Sequence, residues 1–438
     1  MKADFFELAD ELCCELHTGE VLLCYLSGER SDFVRFNRAL VRQAGSVEQR
    51  YVSLRLIHSR RQASARVALA GGADDLATCR SAMHRVREQL SQLPEDPWLL
   101  YADRPQSTST ERRGRLAPAE DVVSAISAAA KGLDLVGFYA GGTLYRGFAN
   151  SLGQRNWHEV DAHNFDWSLH LHADKAVKSG YAGLDWDPAL LAAKLEDSAR
   201  ELHRMKSPAR TLRPGEYRAY LAPRAVEEIT GLLSYDAFSA RARATRQSAL
   251  TRMDQGERLS RKLTVVENTE AGFSPPFQEM GYVKPAAVVL IDRGAPREKL
   301  VSPRSAQEYR LRLNAANSRE NPDSLELSGG DLPDEDILAA LDHGLYVSNL
   351  WYLNFSDKPA GRITGMTRFA TFLVEGGQIV APVNPLRFDD TVYRMFGDTL
   401  ERLTRSRELL LSTSTYDERS TASACLPGAL LESLRFTL

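Results

Sequence analysis

Between Phe165 and His172 the chain alternates strictly: Phe165, Trp167, Leu169 and Leu171 are apolar, and Asp166, Ser168, His170 and His172 are polar. Successive side chains of a strand point to opposite faces, so this run predicts a half-buried β-strand on a packed core. Its phase reaches backwards. Continued without a bulge through His158-Glu-Val-Asp-Ala-His163, it puts His163 with the apolar set and His158 with His170 and His172 on the polar side. The separation matters because two imidazoles and a carboxylate in one short run look like a zinc-protease motif. In a working zinc helix the histidines stand four apart, about 40° around the axis, and both reach one ion while the glutamate activates its water. Here they stand five apart, about 140° apart on a regular helix and on opposite faces of a regular strand. Only a π-bulge or a β-bulge would bring them to one ion. The simpler reading makes them polar residues on an edge or loop of a sheet, with His170 and His172 facing solvent.

Other segments read as follows. Phe5, Phe6, Leu8, Ala9, Leu12, Cys13 and Leu16 recur at helical spacing. Residues 21–69 are rich in β-formers, broken by Gly28 and Gly45, which predicts several antiparallel strands. Residues 73–93 return to helix, and 107–114 is a polar run without periodicity, expected as a linker or mobile loop. Pro118 opens a helix to about 131, and Gly141-Gly142 between two β-like runs predicts a hairpin. A helix over about 187–205 leads to Pro208 and the Leu212-Arg213-Pro214-Gly215 turn, where a domain boundary is expected. Beyond it come a short strand (216–221) and a helix whose Ala225, Val226, Ile229, Leu232 and Leu233 make one apolar stripe. A basic tract over 241–262, expected as a mobile or solvated helix-loop, precedes a strand near 286–291, a helix near 334–341 and a β-rich finish. The class is α+β, with an N-terminal domain over 1–210 and a β-rich C-terminal domain over 211–438.

Composition narrows the function classes. A formal charge of −3 over 438 residues gives no global attraction to nucleic acid or anionic membrane, so neither partner is expected. No run approaches the roughly 20 apolar residues of a membrane span, and the acidic amphipathic start lacks a signal peptide's regions. Five cysteines form no CxxC pair, which suits reduced thiols and a cytoplasmic address. Serine-hydrolase, P-loop and Rossmann fingerprints are absent from the sequence.

The most specific segment lies between 344 and 396. It holds Gly344-Leu-Tyr-Val-Ser-Asn-Leu-Trp351, Gly361-Arg-Ile-Thr-Gly-Met-Thr-Arg-Phe369 and Phe372-Leu-Val-Glu-Gly-Gly-Gln-Ile-Val-Ala-Pro-Val383. With Phe33-Val-Arg-Phe36, residues 43–56 and Phe148-Ala-Asn-Ser-Leu-Gly153 in the same order, the chain resembles the TldD/PmbA peptidase family. That resemblance implies a dimer in which a zinc-bearing TldD-type subunit pairs with a metal-free PmbA/TldE-type subunit to cleave peptides or unfolded proteins. It places the HExxxH helix just after a strand at the start of the second half, where this chain has Glu227-Glu228-Ile-Thr-Gly-Leu232. Glu228 matches the motif's glutamate, while Glu227 and Leu232 stand in the imidazole positions, and leucine has no lone pair for zinc. The family's third ligand is a cysteine near the C-terminus; Cys425 is the one candidate and lies too close to the terminal strand to inherit that role.

The resemblance thus implies a TldE-like subunit without catalytic residues or metal of its own, with zinc in a TldD-like partner and a peptide as substrate. Two alternatives stay open: an autonomous zinc peptidase using His158, Glu159 and His163 with a third ligand among His170, His172 and Cys425, and a homodimeric, non-enzymatic peptide-binding protein.

Overall fold

A computed structural model of the chain describes residues 1–172 and 175–437. The N-terminal helix α1 (Lys2–Cys13) buries Phe5, Ala9 and Leu12, the i, i+4, i+7 stripe its spacing predicts. Strands β1 (Val21–Asn37), β2 (Leu40–His58) and β3 (Arg61–Ala68) form an antiparallel meander, against which α2 (Asp74–Leu90) packs Cys79, Met83, Val86 and Leu90. The glycines expected to break this region do not. Gly28 and Gly45 lie inside β1 and β2, and the reversals fall at Arg38-Ala39 and Ser59-Arg60, whose φ values of 48° to 62° are those of tight hairpin turns.

A second departure is β4 (Thr108–Arg112), in the stretch expected to be a linker or mobile loop. Hydrogen bonding to a neighbour needs no apolar side chain, and a polar run suits an edge position that is half solvated. Helix α3 (Ala119–Ala129) follows, then β5 (Asp134–Asn150), which runs straight through Gly141-Gly142 where a hairpin was expected. These glycines serve close approach instead. A Cβ on Gly141 would lie 2.0 Å from Tyr139 Oη, and one on Gly142 would lie 2.0 Å from the Arg30 carbonyl oxygen of β1.

Strands β6 (Arg155–His172) and β7 (Lys175–Gly183) complete a sheet ordered β3-β2-β1-β5-β6. The outer side of β6 is shared: β4 pairs in parallel with Asn156–Val160, and β7 pairs antiparallel with His163–His172. Helix α4 (Pro188–Arg204), capped by Asp187 accepting from the backbone N–H of Ala189 at 2.8 Å, packs with α3 over Phe165, Trp167 and Leu169. The Phe165–His172 alternation is therefore a half-buried strand, as read.

From residue 215 on, two further sheets form. One is ordered β11-β10-β9-β12-β19-β18, from β9 (Val265–Glu267), β10 (Val288–Asp292), β11 (Ala295–Pro296), β12 (Ser324–Leu327), β18 (Glu408–Leu411) and β19 (Ser423–Leu426). The other joins β8 (Gly215–Leu221), β13 (Gly344–Asp357), β14 (Arg362–Glu375), β15 (Gln378–Pro382), β16 (Arg387–Thr391), β17 (Leu400–Leu403) and β20 (Ala429–Phe436). Its pairings close on themselves through β13-β8-β20-β16-β14 and back to β13, so Leu345, Val347, Ile363, Phe388, Leu431 and Phe436 are buried in one core. Among the described residues, five α-helices connect these strands: α5 (Pro223–Ser234), α6 (Ala240–Ala244), α7 (Thr251–Asp254), α8 (Pro303–Tyr309) and α9 (Ile337–Leu341). The basic tract is a helix-loop, as expected, with Arg241, Arg246, Arg258 and Arg261 exposed, but two of its arginines are tied into the fold. Buried Arg243 holds Asp254 through two bonds of 2.7 and 2.8 Å, and Arg252 pairs with Glu257 and lies over the Tyr393 ring.

Candidate functional site

Pro223 opens α5 where its missing N–H costs nothing. Ala225, Val226, Ile229 and Leu233 then bury one face of the helix. The other face presents Arg224, Glu227, Glu228, Gly231 and Leu232 to a cleft of about 490 Å³. Leu232, read from sequence as core, is half-buried at the cleft wall. Asn164 and Asp166 of β6, Lys178 of β7, Tyr235 just past α5, Trp351, Tyr352 and Leu353 of β13, Leu410 and Leu411 of β18 and Thr413 beyond it complete the lining.

A half-buried ion cluster organises one end of this cleft. Arg224 Nη1 donates to Asp166 Oδ1 at 3.1 Å, its Nε lies 3.9 Å from Glu408 Oε1, and Lys194 Nζ donates to the same Glu408 oxygen at 3.1 Å. Burial opposes the Arg224 charge, yet Glu408 and Asp166 outweigh it and hold the guanidinium above its usual value. Glu227 and Glu228 are different. Among the described residues neither carboxylate has a hydrogen-bond or ion-pair partner. Burial pushes Glu227 up to about 7, with Asp166 and Glu228 adding to it and Arg224 and Lys178 opposing. Glu228 is also raised by burial, against the pull of Lys178 and Arg224.

The opposite wall is aromatic and owes its shape to a bulge. The β13–β14 register slips between Trp351 and Asn354, and Tyr352 sits at φ 56°, which turns its side chain out to 75% exposure. Trp351 meets Phe369 edge-on, and Arg368 lies over its ring at 5.5 Å.

The His158–His163 run lies elsewhere. The β5–β6 register is unbroken from Asp134↔His170 to Ala149↔Arg155, so the two imidazoles stand on opposite faces of the sheet and cannot meet at one ion. His158 is not on a solvated edge, as expected, but 2% exposed, because β4 and the segment around Phe273 cover that face. Its Nδ1 pairs with Thr110 Oγ1 at 2.8 Å and its Nε2 with the Phe273 carbonyl at 3.0 Å. Burial depresses it to about 4. His163 is fully buried against the Tyr181 and Trp186 rings, with neither nitrogen bonded, and burial likewise depresses it to about 4. Glu159 accepts from Arg113 at 2.6 Å. His170 and His172 share the His158 face but lie 12 or more residues along the strand, roughly 40 Å away at 3.3 Å per residue. Cys425 faces a separate cavity beside Glu326 and Arg407, and burial raises its thiol.

Among the described residues no three His, Cys, Asp or Glu side chains stand close enough to hold a metal ion. At α5 the donor set is two adjacent carboxylates and a hydrocarbon, which does not fit the imidazole-rich tetrahedral site of a catalytic zinc.

A family model, the PmbA/TldA metallopeptidase C-terminal domain, matches residues 214–437. The chain belongs to the TldD/PmbA family. Solved structures share the fold of this family member over 99% of its length. TldE from Thermococcus kodakarensis superposes with a TM-score of 0.79 at 15% identity over 100% of that chain. A candidate modulator of a DNA gyrase from Thermotoga maritima gives 0.79 at 14% over 100%, and one from Bacteroides thetaiotaomicron 0.77 at 14% over 99%. No curated protein matches the sequence.

Sequence reading singled out Glu227, Glu228 and Leu232, which line this cleft, but did not connect them with Arg224, Asp166, Lys178 or the Trp351-Tyr352 wall. A signal existed for the last: two adjacent aromatics inside the family-like block, where a strand exposed on one face would bury only one of them.

Proposed function

We propose that this chain is the metal-free, TldE-like subunit of a two-subunit metallopeptidase, with domains meeting near residue 210, and that it helps form a cytoplasmic chamber for peptides or unfolded proteins. The observation that carries this reading is α5. The helix stands after the first strand of the C-terminal half and lines the cleft, where the family's zinc helix is expected, yet it offers Glu227, Glu228 and Leu232 in place of a histidine pair. The zinc and the water it activates would belong to a TldD-like partner. This chain would contribute walls, orientation and peptide contacts. The described residues include no helix long and apolar enough to cross a membrane.

Coexpression with a zinc-bearing family relative tests the reading. Peptidase activity that needs both subunits, with the isolated chain losing neither stability nor fold on treatment with a chelator, is the expected result. Full zinc-dependent activity from the isolated chain would overturn it. A chain that stays a homodimer and binds peptide beside such a relative would replace it with the non-enzymatic reading.

A further inference from the structure

Among the described residues, the α5 cleft holds carboxylates with no hydrogen-bond or ion-pair partner on one side and exposed aromatic rings on the other. Arg224 is satisfied by Asp166 and Glu408, and Lys194 also pairs with Glu408. That leaves Glu227 and Glu228 facing the cleft with only Lys178, on β7, as an unpaired cation among the lining residues. The lining therefore carries one carboxylate more than it neutralises. Across from it, Trp351 is 42% exposed and Tyr352 75%. Carboxylates stripped of water gain most from a cation that also lies against a ring face.

We propose that this cleft selects peptides bearing an ammonium group, either a free α-amino terminus or a lysine side chain, seated between the carboxylates of Glu227 and Glu228 and the rings of Trp351 and Tyr352. The inference rests on the peptide-binding reading above and adds the chemistry of the preferred ligand. The charged groups lining the cleft or paired with its lining are Asp166 from β6, Lys178 from β7, Arg224 from α5 itself and Glu408 from β18, while β13 lends the cleft Trp351, Tyr352 and Leu353. Arg368 of β14 already lies over the Trp351 ring at 5.5 Å, so the ligand's cation is left the other face of that ring and the exposed Tyr352. One cation is accommodated, since a second would meet Lys178 without a matching carboxylate. Because burial raises Glu227 to about 7, binding weakens as the pH falls from 8 to 6 and that carboxylate takes up a proton; burial shifts Glu228 in the same direction.

The test uses the full-length chain and three hexapeptides with a C-terminal fluorescent label, followed by anisotropy. The first is N-acetylated with a central lysine, the second is N-acetylated with norleucine in its place, and the third has the norleucine and a free amino terminus. The acetylated norleucine peptide is expected to bind at least tenfold more weakly than whichever cationic peptide binds best, and that best binder identifies the side chain or the terminus as the source. Its affinity should fall several-fold between pH 8 and pH 6, and Glu228→Gln should weaken it by a larger factor than it weakens the neutral peptide. Equal binding of all three would overturn the proposal and leave peptide binding standing. No binding by any would remove the peptide-binding reading and this one with it. The peptide series uses only the unaltered chain, so it decides even if a variant fails to fold.

Discussion

His163 and His158 are both buried, but they are buried differently. His158 exchanges hydrogen bonds with Thr110 and the Phe273 carbonyl, whereas both nitrogens of His163 lie unbonded among aromatic rings. Removing an unsatisfied polar group relieves a desolvation penalty, so His163→Phe should stabilise the protein by about 1 kcal/mol in urea unfolding. His158→Ala should destabilise it by about 2–3 kcal/mol, from two lost bonds and a cavity, without changing metal content. The pH dependence separates these residues from the glutamates. Both histidines fall to about 4 when folded, so from pH 6.5 down toward 4 the unfolded chain binds more protons and stability is lost on acidification. Glu227 rises to about 7, so the folded chain holds the extra proton between about 4.5 and 7 and stability is lost as pH rises through that window. Glu227→Gln should accordingly stabilise the protein at pH 8 by about 1–2 kcal/mol, allowing for partial solvent access, and have little effect at pH 4.5. A larger gain at low than at high pH would contradict the assignment.

At the scale of elements, β5 is the most exacting strand. Gly142 combines a φ of 150° with a carbonyl oxygen where its Cβ would be. Gly142→Ala should cost about 3 kcal/mol or more by forcing β1 and β5 apart, while Gly153→Ala, at a turn with open space, should cost about 1 kcal/mol from its φ of 94° alone. Chemical denaturation of both variants checks the ratio. The α4 cap gives a milder case: Asp187→Ala removes the acceptor for the Ala189 and Leu190 N–H groups and should cost about 1 kcal/mol. Element types followed from periodicity at α1, α2, α3, α4, α5 and β6, where one face is apolar at a definite spacing. They did not follow at β4 or β5. A polar edge strand has no apolar stripe to reveal it, and a pair of glycines can mark either a reversal or a close approach, which only the neighbouring strand distinguishes.

For the whole molecule, the connection between β18 and β19 ties the C-terminal half to the first sheet. Buried Arg419 donates to Ser31 Oγ at 3.2 Å and to the Ala162 carbonyl at 2.8 Å, and its backbone N–H donates to buried Glu29 at 3.2 Å. Burial lowers its guanidinium to about 10. Arg419→Met should destabilise the protein by about 2–4 kcal/mol, since it strips donors from buried acceptors beside a buried carboxylate. It should also speed chymotryptic cleavage at Tyr416, which is already exposed. Unchanged cleavage would mean that other contacts hold the segment. The α5 cleft depends on the same long-range assembly, because its lining comes from β6, β7, α5, β13 and β18.

Local pattern was enough for the α+β class, the phase of β6, the separation of His158 from His163 and the absence of a histidine pair on α5, because each depends on the period of a single segment and on side-chain chemistry. Folding in three dimensions was needed for the rest. That Glu227 and Glu228 are withdrawn from water rather than solvated, that His158 is covered, and that Trp351 and Tyr352 face Arg224 and Asp166 across one cleft are consequences of packing between segments far apart in the chain. Burial, unlike periodicity, is a property of the neighbours.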